Sequence, residues 1–246
     1  MVVNSASGIL LIHGLSANHK SMLKIAKVLE KHNFIVDNTD LPGHNTSPED
    51  LKNTEWTEWI EQTQKRLEIL RNKSSEIFVL GTSLGSIISL YLGTNDPNIA
   101  GLILCATAIK PFNFKSWFIY NFHFIQYFIR YVSLNRIISQ YLGIPKEWKR
   151  YEKIPVSSLI ESTKLLKELR NRIKKIYQPI LVIQSKNDRI INQRGRKQVY
   201  NAVNSEDKIF VEVNKGGHVI LLDEGCEQAI DIIMKWLLER KSKDNV

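Results

Sequence analysis

Six short and almost uninterrupted apolar runs punctuate the chain: Gly8 to His13, Phe34 to Val36, Ile77 to Leu80, Gly101 to Cys105, Ile180 to Gln184 and Lys208 to Val213. Between them lie longer stretches with apolar residues three or four positions apart. These fall near Ser21 to Lys31, Glu55 to Arg71, Leu84 to Leu92, Gln193 to Asn201 and Cys226 to Arg240. A continuous apolar run reads as a strand covered on both faces, and the intervening period is that of amphipathic helices. The alternation predicts an α/β fold, a mostly parallel sheet of about six to seven strands with helices on both faces. Ligands of such sheets collect beyond the carboxyl ends of the strands, so the residues just after each run are the first candidates for chemistry.

One segment breaks the alternation. Pro111 to Pro179 shows no convincing strand, which predicts a helical cap insertion over 111–173 between the core segments 1–110 and 174–246. Ten of the chain's 22 aromatic residues fall between Phe112 and Tyr131. Trp117, Phe118, Phe124, Ile125 and Phe128 recur at helical spacing. Two readings stand side by side. The rings pack the insertion onto the sheet domain, or some of them, with Trp117, Phe124 and Phe128 as candidates, line an apolar pocket as a lid does.

The third run leads directly into Gly81-Thr82-Ser83-Leu84-Gly85 and then a helical stretch. A strand, a GxSxG turn and a helix make a nucleophile elbow, in which the glycines allow a sharp bend around an exposed hydroxyl. With Gly and Ser each near 7% of residues, the bare spacing arises by chance in roughly one chain in twelve of this length. A serine also needs a base, and the base an orienting acid, expected in the chain order Ser, acid, His. Asp188 follows the fifth run and His218 the sixth, in Asn214-Lys215-Gly216-Gly217-His218. Alone, Asp188 reads as a turn or N-cap aspartate and His218 as the end of a flexible turn; together, in order and at strand ends, they read as a triad. Asp207 precedes its strand and Asp223 follows His218, so both compete less well as the acid.

An ester or amide carbonyl attacked by Ser83 needs backbone N–H donors for its oxyanion. Leu84, just after the nucleophile, is one candidate. Leu15, in His13-Gly14-Leu15-Ser16 after the first run, is the other, with Gly14 permitting the turn. His13 and Gly14 are candidate substrate contacts, and His44 in Leu41-Pro42-Gly43-His44 also approaches this edge.

Composition adds bounds. The net charge of +9 is unevenly spread: Lys110 to Lys175 holds 14 Lys/Arg against 4 Asp/Glu, leaving 20 against 21 elsewhere. A basic insertion without any nucleic-acid motif predicts no nucleic-acid partner; it is a solvated face, or makes weak contact with a lipid surface. No stretch reaches the roughly 20 apolar residues of a membrane span. Two cysteines and a start without a basic n-region fit a cytoplasmic protein. Nothing in the sequence fixes the oligomeric state.

These residues resemble an α/β-hydrolase, and more narrowly the small bacterial carboxylesterases related to monoacylglycerol lipases. The resemblance runs from Leu10-Leu11-Ile12-His13-Gly14 through Leu41-Pro42-Gly43-His44 and the serine turn to Asn187-Asp188 and Gly217-His218-Val219-Ile220-Leu221-Leu222-Asp223. It implies a Ser83–His218–Asp188 triad, Leu15 and Leu84 as oxyanion donors, no metal or other cofactor, and a cap over an acyl pocket. The implied activity is hydrolysis of short- to medium-chain carboxylic esters. Monoacylglycerol lipase or lysophospholipase activity is the alternative, with thioesterase, acyltransferase or a non-catalytic binding module behind it. Two departures stand out: Ser86 replaces a glycine often found there, and the insertion is unusually aromatic.

Overall fold

The protein is described by a computed structural model covering residues 6–109, 129–133, 151–191 and 193–241. The aromatic stretch with Trp117, Phe124 and Phe128 lies outside the described residues. The six apolar runs form β1 (Gly8–Ile12), β2 (Ile35–Asn38), β3 (Ile77–Thr82), β4 (Gly101–Cys105), β7 (Ile180–Ser185) and β8 (Lys208–Val213). They make one six-stranded sheet in the order β2-β1-β3-β4-β7-β8, with every pairing parallel. Among the described residues β8 pairs only with β7.

Side chains alternate across the strands and so divide the core in two. Leu10, Ile12, Val79, Leu102, Leu104, Ile180 and Val182 face α3 (Trp56–Arg71), α4 (Leu84–Asn95) and α5 (Val156–Arg172), which contribute Trp59, Leu67, Ile88, Leu165 and Leu169. Ile9, Leu11, Phe78, Leu80, Ile103, Leu181 and Ile183 face α1 (Leu23–Lys31) and α8 (Cys226–Arg240), which contribute Ile25, Leu29, Ile233, Trp236 and Leu237. A reciprocal capping box between Glu55 and Glu58 starts α3. Ser47 caps the short α2 (Pro48–Lys52), with Pro48 in its first turn.

Two expectations need correction. The segment expected to lack strands holds β5 (Tyr131–Ser133) and β6 (Lys153–Pro155), an antiparallel pair apart from the main sheet. Three residues are too few to show an alternating pattern, and their pairing partner lies about twenty residues away, so periodicity could not find them. The helix expected over 193–201 is two short helices, α6 (Gln193–Arg196) and α7 (Gln198–Ala202), separated where Lys197 takes φ −94°, ψ 6°. No helix among the described residues is long and apolar enough to cross a membrane.

The elbow after β3 depends on close approach of α4 to the sheet. A β-carbon at Gly85 would collide with the Ile12 carbonyl at the end of β1, and one at Gly81 with the Gly85 backbone. Both obstacles are main chain, so neither can swing aside. Gly85→Ala is expected to lower stability by at least about 1–3 kcal/mol, the usual overpacking cost. A thermal melt followed by circular dichroism should show the lowered midpoint, and a midpoint equal to wild type would disprove the close fit.

Candidate active site

Ser83 sits between β3 and α4 with φ 52° and ψ −113°, a backbone state that non-glycine residues avoid. Such strain persists only where the surroundings over-determine it. Here the Ser83 N–H donates to the Cys105 carbonyl at 2.9 Å. Ser86, completely buried, donates its hydroxyl to the Gly81 carbonyl at 2.7 Å and shares it with the Cys105 carbonyl at 3.0 Å. The serine that departs from the usual glycine therefore ties the ends of β3 and β4 together beneath the elbow.

The structure brings the three dispersed residues together. His218 Nε2 lies 3.0 Å from Ser83 Oγ, and His218 Nδ1 lies 2.8 Å from Asp188 Oδ2. The other carboxylate oxygen, Oδ1, accepts the N–H groups of Ile190 and Ile191 at 2.8 and 2.9 Å. Burial alone would raise the Asp188 pKa. The neighbouring His218 and the two N–H donors outweigh burial and hold the carboxyl below the usual carboxylate range. An ionised Asp188 accepts the Nδ1 proton, which leaves Nε2 as the acceptor facing the Ser83 hydroxyl. Asp207, the rejected acid, is engaged by Arg240 on α8 at the far end of β8.

Leu84 begins α4, so its N–H has no intrahelical acceptor and sits at the positive end of the helix. Leu15 follows Gly14 in a turn closed by the Ala17 N–H on the Gly14 carbonyl, with Ser16 at φ 61°. A β-carbon on Gly14 would lie 3.3 Å from Ser83 Cβ, so this loop passes directly beside the nucleophile.

His13 is engaged by main chain. It is fully buried, its Nε2 accepts the Leu41 N–H at 3.0 Å, and its Nδ1 therefore donates to the Gly14 carbonyl at 2.9 Å. The Gly14 carbonyl and the Leu15 N–H belong to one trans peptide and point opposite ways. By holding the Gly14 carbonyl, His13 fixes the orientation of the peptide that carries the Leu15 N–H. His44 packs edge-on against His13 with ring centroids 4.9 Å apart and donates Nδ1–H to the Pro42 carbonyl. Burial depresses His13 to about 4 and His44 to about 3.

A cavity of about 230 Å³ opens beside Ser83 and His218. Its walls are mainly apolar: Leu15, Ala17, Ile154, Leu159, Ile190, Val219, Leu221 and Leu222, with Gly14, Ser16, Ser21 and Thr82 near the floor. Ile154 on β6 and Leu159 on α5 were missed in the sequence, because only the fold carries them over the serine. Among the described residues no cluster of His, Cys, Asp or Glu is placed to hold a metal ion.

A parallel sheet, a strained serine at a strand–helix turn, and an imidazole and carboxylate on the loops of two later strands define an α/β hydrolase. The chain belongs to the hydrolase family described as serine aminopeptidase, S33, which it matches over residues 4–225. It is similar to a carboxylesterase of Bacillus subtilis (strain 168), 29% identical over 218 residues that cover 88% of this chain and 86% of the relative. A thermostable monoacylglycerol lipase of Bacillus sp. (strain H-257) is 26% identical over 220 residues, covering 89% and 86%. A solved structure from work on the metagenome-derived lipolytic enzymes LipS and LipT shares the fold. Its TM-score is 0.86 at 18% identity, over 96% of this chain and 95% of that one.

The buried histidines make folding acid-sensitive. Below their ordinary pKa of 6.5 the unfolded chain binds protons that the folded chain refuses, so stability rises with pH across the window from about 4 to 6.5. For His13 alone the full shift is worth about 3 kcal/mol. Urea unfolding between pH 7 and pH 4.5 should show a falling midpoint, with a shallower fall in His13→Asn. An equal slope in that variant would mean that His13 is not held neutral.

Proposed function

We propose that the protein is a serine hydrolase of carboxylic esters working through Ser83, His218 and Asp188. The observation that carries this reading is the continuous chain Ser83 Oγ, His218 Nε2, His218 Nδ1, Asp188 Oδ2, with steps of 3.0 and 2.8 Å on either side of the imidazole. The carboxylesterase and monoacylglycerol lipase relatives, each matching most of this chain, support esters as the substrate class.

Ser83 Oγ bonds to the ester carbonyl carbon as its proton passes to His218 Nε2. The carbonyl electron pair moves onto oxygen, where the Leu15 and Leu84 N–H groups receive the charge. Collapse of the tetrahedral intermediate breaks the bond to the alcohol oxygen, which leaves with the proton from Nε2. Water, deprotonated by the same imidazole, then attacks the acyl carbon; the bond to Ser83 Oγ breaks, that oxygen takes the proton back from Nε2, and the acid is freed. Asp188 holds the tautomer and stabilises the imidazolium.

The cavity supports short- to medium-chain acyl groups. Its 230 Å³ is below the roughly 300–1,000 Å³ of sites for drug-sized ligands, and its walls are hydrocarbon. Among the described residues its lining offers no carboxylate to pair with a substrate α-amino group, which favours esters over the N-terminal peptides suggested by the family description. Ile154 and Leu159 wall the cavity, which supports a cap role for the part of the insertion they come from. Monoacylglycerol lipase activity is the second reading, favoured by the lipase relative and by the aromatic, basic insertion. Both cysteines are buried free thiols, in keeping with a cytoplasmic enzyme.

Ser83→Ala is expected to lower turnover of p-nitrophenyl butyrate by several orders of magnitude and to abolish labelling by a fluorophosphonate probe. Retained activity in that variant would end the proposal. A profile of p-nitrophenyl esters should peak between C4 and C8. An optimum at C12 or longer, with stimulation by micelles, would move the assignment to the lipase.

A further inference from the structure

The turn that carries His218 is gripped through one peptide unit. The Gly216 carbonyl accepts the Ser185 hydroxyl at 2.6 Å, and the Gly217 N–H of the same peptide donates to Asp223 Oδ2 at 2.5 Å. Those two atoms point in opposite directions from a planar group, so the two partners hold it from both sides. The peptide lies one residue before His218, with only Gly217 Cα and the next peptide between them. Its rotation would turn the backbone from which the imidazole projects.

Each grip reaches a different part of the site. Ser185 ends β7, three residues before Asp188, and its oxygen also accepts the Asn187 N–H at 3.1 Å. Asn187 then donates Nδ2–H to the Asn214 carbonyl at 3.0 Å, a second link between the acid loop and the base loop. Asp223 stands on the far side, where its Oδ1 accepts the Gly225 N–H at 2.9 Å. Gly216 has φ 78°, and a β-carbon there would run into the Asp223 carboxylate, so the glycine and the carboxylate are fitted to one another. Among the described residues Asp223 bears two backbone N–H donors and no cation, an arrangement suited to fixing main chain rather than to neutralising charge.

Resting on the triad reading above, we infer that Ser185 and Asp223 are positioning residues for His218, a two-sided clamp on the Gly216–Gly217 peptide that keeps the imidazole in register with both Ser83 and Asp188. Neither touches substrate. Their effect passes through the placement of Nε2, where an error of about 1 Å can cost on the order of a hundredfold in rate.

The test uses the full-length enzyme with Ser185→Ala, Asp223→Asn and the double variant. Asn keeps one acceptor oxygen and turns an NH₂ group on the other glycine N–H, whereas Ala removes the Ser185 donor. For p-nitrophenyl butyrate each single variant should lower kcat on the order of ten- to hundredfold while KM stays within about twofold. The low-field proton resonance of His218 Nδ1–H should shift or broaden in both. Because both variants release the same peptide, the double variant should lose less than the product of the single losses. Folded variants with wild-type kcat and an unmoved resonance, or with fully multiplicative losses, would overturn the clamp. A measurement on the wild type does not depend on whether the variants fold: the Gly217 amide hydrogen should exchange slowly with solvent, and rapid exchange also overturns the inference. Activity surviving Ser83→Ala would instead remove the serine-hydrolase reading, leaving the Gly217 exchange result to judge the clamp by itself.

Discussion

The site is built on the contact between the first turn of α4 and the ends of β1 and β3. Main chain meets main chain there, with Gly85 against the Ile12 carbonyl, and no side chain can intervene. That contact, with the hydrogen bonds to the Cys105 carbonyl from the Ser83 amide and the Ser86 hydroxyl, holds Ser83 in a conformation it would leave if free. Strain of this kind is of order 1–3 kcal/mol and must be offset by packing elsewhere. The two buried layers on either side of the sheet supply it. The exposed hydroxyl is thus a product of the whole domain rather than of a five-residue turn.

Around that serine the protein uses neutral and charged groups differently. The acid of the triad remains ionised because N–H donors and an imidazole surround it in spite of burial. Behind the loop after β1, His13 and His44 are kept uncharged because burial dominates and too little nearby compensates. A protonated His13 would lose the acceptor that receives the Leu41 N–H, one of the links between the loops after β1 and β2 beside the bonds of His19 to Asp40. Two histidines are therefore set in different surroundings: His218 joins the Ser83 hydroxyl to the Asp188 carboxylate, whereas both nitrogens of His13 are spent on main chain.

Much of this was legible in the residues. Continuous apolar runs gave all six strands of the sheet, because buried parallel strands leave so plain a mark. Ser83, Asp188 and His218 could be picked out because each follows a run and their order matches a known scheme; that they meet within 3 Å is a fact of the fold. Other parts left no local trace. The pairing of Tyr131–Ser133 with Lys153–Pro155 is long-range and too short for periodicity. The main-chain partners of both His13 nitrogens likewise left no mark in the residues around it. Asp223 was weighed only as a rival acid, since its partners are backbone amides and backbone has no sequence signature.

The His218 imidazole follows β8, the last strand of the sheet, which among the described residues is supported by hydrogen bonds from β7 alone. Ser83, by contrast, follows β3, flanked on both sides by β1 and β4. Outer strands open more readily than inner ones, so fraying at this border would detach the base while the serine stayed seated. Heat or denaturant should then silence the enzyme before the domain melts, making catalytic loss the earliest sign of a failing sheet margin.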